Sequence, residues 1–114
     1  MVTDTTTGLM WQKTYEEDKA WQAALSYCEN LDYAGYSDWR LPNKNELVSL
    51  VNYEKSGAPY SYFPDMPSNH YFWSSSTVSD NTDSAWIVFF YNGTVTSYYK
   101  SYSYSDVRCV RNAE

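Results

Sequence analysis

Hydrophobic and polar positions change period several times along this chain, and each change predicts an element. After a polar TDTTTG opening, Leu9, Met10 and Trp11 read as a short strand, with Gly8 as the turn that feeds it. Trp21, Ala24, Leu25, Cys28 and Leu31 then fall at the i, i+3, i+4, i+7 spacing of one helical face, which turns Cys28 inward. Asp18 is placed to cap that helix, and Thr14 with Glu17 is a competing start. The helix should end near Asp32, with Gly35 as its left-handed terminator.

The stretch at 39–50, WRLPNKNELVSL, contains a complete helix start. Pro42 removes a backbone donor and biases Leu41 toward extended dihedrals, so a strand cannot continue through it. Asn43 can then cap a helix, and Glu46, three residues on, can return a bond to the cap's backbone N–H. Leu47, Leu50 and Val51 follow at helical spacing, predicting about two to three turns. Arg40, held between Trp39 and Leu41, needs a carboxylate partner if enclosed, and Asp38 or Glu46 could supply it. Trp39, Arg40, Leu41, Pro42 and Glu46 therefore form a structural motif, each with a packing or capping role.

Residues 52–69 hold Pro59, Pro64 and Pro67 with Gly57, and predict an irregular loop held down by Tyr60, Tyr62 and Phe63. Tyr71, Phe72 and Trp73 open a strand running into Ser74–Ser76. Beyond the turn-rich SDNTD segment, residues 86–91 are apolar on both alternating faces, Trp86/Val88/Phe90 and Ile87/Phe89/Tyr91, as a strand covered on each side should be. Asn92-Gly93 predicts a type I′ hairpin returning residues 94–99 antiparallel. A last strand at 107–111 would bring Cys109 against the first helix. The architecture expected is one α+β domain over residues 1–114: two N-terminal helices packed on a twisted, late antiparallel sheet, with long irregular loops.

Composition changes this picture in one respect. Five Trp, thirteen Tyr and four Phe stand against six Leu and one Ile, so rings must fill much of the core. Tyrosine is too abundant to be wholly interior, and a surplus of these flat, polar-tipped side chains suits a binding face. The net charge of −6, with no basic run, argues against nucleic-acid and anionic-membrane binding. The longest apolar run, 85–91, is too short to span a bilayer. No charged n-region with an apolar h-region follows Met1, which fits either a cytosolic protein or a segment whose export signal lies elsewhere.

Cys28 and Cys109 lie 81 positions apart, unlike the C-x-x-C of redox or zinc sites. A structural disulfide is expected, in which case the compartment is oxidising; two buried free thiols are the alternative. Closing a loop of that length stabilises a fold by roughly 4–5 kcal/mol in the chain-entropy account.

Six blocks in order, TGLMWQ at 7–12, YCENL at 27–31, AGYSDWRLPNKNEL at 34–47, FWSSS at 72–76, AWIVFFYNG at 85–93 and VRCVR at 107–111, resemble the Lcl C-terminal domain family, the globular heads of bacterial collagen-like adhesins. That family looks like a branch of the C-type lectin-like fold shared with the formylglycine-generating enzyme, whose WRLPTEAEW-like block is similar to residues 39–47. The variable ligand-binding proteins of diversity-generating retroelements are similar in fold and give a second reading; a structural or assembly domain without its own ligand is a third. The resemblance implies a secreted or cell-surface location, adhesion, and glycan ligands such as sulfated glycosaminoglycans. No Gly-x-y stalk is present, and the acidic balance makes a neutral glycan or a protein the physically easier ligand.

Catalytic chemistry is not expected. The cysteines are too far apart to act as a reactive pair, and His70 is the sole histidine, near Ser74–Ser76 but without a nucleophile-elbow pattern. No carboxylate pair has a recognisable spacing. Asp80, Asn81 and Asp83 offer oxygen ligands, but no EF-hand loop surrounds them, so no metal and no cofactor are expected.

The segment TVTSYYKSYSYSD at 94–106 alternates tyrosine with serine around one lysine and has the composition of a paratope. Alternation would put Tyr102 and Tyr104 on one side. The expected ligand-binding residues are Tyr98, Tyr99, Lys100, Tyr102 and Tyr104, with Trp86 and Asn92 beside them. The expected partner is an extracellular glycan or protein, and a homo-oligomer stays open.

Overall fold

The computed structural model describes residues 2–4, 7–12, 15–51, 71–89, 93–102 and 105–112. In chain order the elements are β1 (Val2–Asp4), β2 (Leu9–Trp11), β3 (Glu16–Lys19), α1 (Trp21–Glu29), α2 (Lys44–Val48), β4 (Tyr71–Val78), β5 (Asn81–Phe89), β6 (Thr94–Tyr99), β7 (Ser105–Val107) and β8 (Val110–Asn112). They form a three-stranded sheet, β1-β2-β8, and a five-stranded sheet, β3-β7-β4-β5-β6. Among the described residues all strand pairings are antiparallel except that of β4 with β7.

The expected α+β, C-type lectin-like arrangement of two N-terminal helices packed on one late antiparallel sheet is overturned. The described chain is mostly strand, in two sheets, with two short helices. The polar stretch taken for a helix start is strand β3, whose Glu16 and Lys19 pair with Val107 and Ser105. Asp18 does not cap α1: it sits at φ 56° and its N–H donates to the buried Asp106 carboxylate at 3.2 Å. α1 starts after Ala20, which makes no side-chain cap bond, and ends at Glu29. Gly35, at φ 84°, serves instead a turn closed by reciprocal 3.0 Å backbone bonds between Tyr33 and Tyr36.

Helix α2 keeps the predicted start and loses length. The Asn43 side chain accepts the Glu46 N–H at 2.8 Å, and Glu46 accepts the Asn43 N–H at 2.9 Å, the reciprocal box that satisfies two orphan donors. It spans five residues rather than two to three turns, and tight turns then carry Leu50 and Val51 inward.

Strands β4 to β6 follow the pattern read from the sequence with two corrections: β5 already starts at Asn81, inside the segment read as a turn, and the hairpin to β6 is longer than expected. Phe89 pairs with Thr94, and the Gly93 N–H donates to the Phe89 carbonyl at 2.8 Å, so residues 90–93 separate the paired ends where a two-residue turn was expected. Asn92 itself lies outside the described residues, as does the loop expected at 52–69.

The last strand is divided between the sheets. β7 belongs to the larger and β8 to the smaller, and the chain crosses at Arg108 and Cys109. Gln12 braces this crossing: its N–H donates to the Cys109 carbonyl at 2.9 Å and its Oε1 accepts the Cys109 N–H at 3.0 Å. The larger sheet is covered on both faces. Phe72 and Val88 face a cluster of Leu9, Trp11, Leu47, Leu50, Val51 and Val110, while Trp73, Ala85 and Ile87 face Trp21, Ala24, Cys28, Trp39 and Leu41. The Cys28–Cys109 disulfide, fully buried, ties α1 to the crossing.

Candidate recognition surface

The motif at 39–46 performs structural work. Arg40 forms a bidentate pair with Glu46, at 2.6 and 2.7 Å, and donates to Asn112 at 2.8 Å, while its backbone exchanges two bonds with Val110. Burial works to raise the Glu46 carboxyl, but the bonds from Arg40 and the Asn43 N–H, with the Arg40 charge, outweigh it and hold the group below its ordinary value. Asp38 partners Arg111 instead, at 2.5 and 3.0 Å, and the hydrogen bond from Arg111 lowers its carboxyl. Leu41 and Pro42 are buried, and Trp39 donates its indole N–H to the carbonyls of Tyr33 and Tyr36.

The serines near His70 are likewise committed. Ser74 is buried and donates to the Trp86 carbonyl at 2.7 Å, and Ser76 accepts the Lys44 N–H at 2.9 Å. His70 is outside the described residues. Asp80, Asn81 and Asp83 are exposed, along a turn and the start of β5.

The predicted binding residues divide over two faces of the larger sheet, because successive positions of β6 alternate. Tyr98 lies beside Ala85, and Tyr99 beside Ser84, on the opposite face with Trp86 and Ser97. Trp86 is half-buried and carries the Lys44 ammonium 4.3 Å from its ring centre. Tyr104 is outside the described residues.

On the Tyr98 face the rings run in an unbroken chain. Phe89 stacks on Tyr71 at 4.4 Å, Tyr71 meets Tyr98 at 5.0 Å, and Tyr98 meets Tyr102 edge-on at 4.8 Å. The outer end, Tyr102, is 42% exposed. A hydrogen bond with Tyr71, aided by burial and the neighbouring phenols, pushes the Tyr98 hydroxyl up to about 12. These are the favoured edge and offset geometries of aromatic pairs, so Tyr102 is presented on a pre-packed support.

The turn carrying Tyr102 is fixed from three directions. The Tyr102 N–H donates to the Tyr99 carbonyl, the Lys100 N–H to Asp83, and the Lys100 carbonyl accepts the otherwise orphan N–H of Trp21 at the start of α1. The Lys100 ammonium lies 4.0 Å from the Trp21 ring centre. Tyr71, Phe89, Trp21 and Lys44 were missed from sequence as parts of these surfaces, since only cross-strand register and helix docking bring them there. The other cations near Lys100 in sequence do not join it: Arg108 is 1% exposed and donates to the Gln12 carbonyl, and Arg111 lies over the Tyr36 ring.

A β-rich, disulfide-tied domain presenting supported tyrosines is the class that fold and surface define. The chain belongs to the Lcl C-terminal domain family, which it matches over residues 1–111. Domains of this family are C-terminal modules found in extracellular surface proteins. No curated protein matches the chain.

Proposed function

We propose that this domain is a non-catalytic recognition module of a secreted or cell-surface protein, binding a glycan or protein ligand in adhesion. The observation that carries the reading is the ring chain ending at exposed Tyr102, with Lys100 in the same turn. A tyrosine held on other rings has little rotamer freedom left to lose, so it can stack on a sugar face or fill a groove at low entropic cost. Arg108 and Arg111 are buried, so among the described residues they add no basic surface beside Lys100, which favours a neutral or weakly charged ligand over a sulfated polyanion.

A glycan array followed by titration calorimetry tests this. Tyr102→Ala should weaken binding at least tenfold, about 1.4 kcal/mol, with a melting temperature within a degree or two of the parent. Undiminished binding by that variant would refute the surface.

A further inference from the structure

The two edges of the five-stranded sheet are built differently. β3, at one edge, reads Glu-Glu-Asp-Lys, shifts register between Glu16 and Lys19, and puts Asp18 in the left-handed region. Charge, irregularity and brevity are how natural sheets discourage a further strand. β6, at the other edge, reads Thr-Val-Thr-Ser-Tyr-Tyr: uncharged, without proline, and in unbroken register with β5 over all six residues. Among the described residues no strand lies on its outer side.

The phase of its hydrogen bonds follows from one contact. The Lys100 N–H donates to the Asp83 carbonyl, so Lys100, Tyr98, Thr96 and Thr94 direct their backbone groups toward β5. Val95 and Ser97 therefore direct both N–H and C=O outward, as Tyr99 does its N–H.

We propose that β6 pairs antiparallel with β6 of a second copy of this chain, about a two-fold axis at Ser97. A net charge of −6 makes two copies repel over most of their surfaces, and β6 offers a neutral strip for close approach. The strip is also self-complementary: Ser97 meets Ser97, and Val95 meets Tyr99 of the second copy. The Tyr99 ring, 67% exposed in the single chain, is then covered by a β-branched neighbour, a favourable cross-strand pair. The two larger sheets become one, with both tyrosine chains on the same face. This pairing does not depend on the ligand reading.

Sedimentation velocity over a wide concentration range tests it. The wild-type chain should show a monomer–dimer equilibrium, and the Val95, Ser97 and Tyr99 amides should exchange more slowly as concentration rises. Ser97→Lys puts like charges opposite each other at the axis and should raise the dimer dissociation constant roughly tenfold or more. Ser97→Pro removes only an outward donor and should do the same. If the proline variant fails to fold, the lysine variant decides. Tyr102→Ala should leave the dimer intact, which separates failure here from failure of the recognition surface. A chain monomeric throughout, with concentration-independent exchange at those amides, overturns the proposal; so does a dimer that survives Ser97→Lys.

Discussion

Glu46 joins two networks through one carboxylate: it closes the α2 cap and neutralises Arg40. Its folded-state pKa lies below the ordinary glutamate value of 4.5, so its contribution is complete above that value and is lost as pH falls through the lower folded value. Glu46→Gln should cost about 1–2 kcal/mol in urea unfolding at pH 7. The gap between variant and parent should narrow as pH drops below 4.5; an unchanged gap at pH 3 would contradict the assignment. Ala34 presents the opposite case, an exposed side chain at φ 56° with no capping role. Ala34→Gly should stabilise the domain by about 0.5–1 kcal/mol, read from the denaturation midpoint, because relief of the left-handed strain exceeds the added chain entropy. The cap was legible in the sequence because its partners are three residues apart. The choice of Glu46 for Arg40 and Asp38 for Arg111 was not, since the latter pair joins positions 38 and 111.

Elements were legible where hydrophobic period and local chemistry agreed. β2, β4 and β6 show runs of apolar or β-branched residues and form where expected, whereas β5 has its apolar run from Ala85 but starts earlier, at Asn81. β3 has no such signal: it is strand because β7 supplies partners and Asp106 accepts its backbone N–H. The predicted helix start at Asp18 failed for that reason, a tertiary contact overriding a local preference. Tyr71 and Tyr98, on strands that do not pair directly, are coupled through their hydroxyls. Tyr71→Phe removes the first cause of the raised Tyr98 value, so the phenol that ionises near 12 should move back toward 10 in a spectrophotometric titration. Because the folded-state value exceeds the unfolded one, Tyr98 contributes stability below pH 10 that is lost as pH rises toward 12, and the variant should lose less over that window.

At the scale of the molecule the disulfide joins α1 to the crossing between the sheets. Replacing both Cys28 and Cys109 by serine should cost about 2–5 kcal/mol, and dithiothreitol should lower the parent's melting temperature while leaving the variant's unchanged. An insensitive parent would show that this bond is not what holds the two regions. The residues alone determined the strand-rich late half, the α2 cap and the pairing of two inward cysteines, because each depends on near neighbours or on there being only two cysteines. Tertiary structure alone decided the second sheet, the division of β7 from β8 and the meeting of Tyr71 with Tyr98 across the intervening strand β5. Those depend on register and crossover, in which residues distant along the chain compete for the same backbone partners, and no local period encodes the outcome.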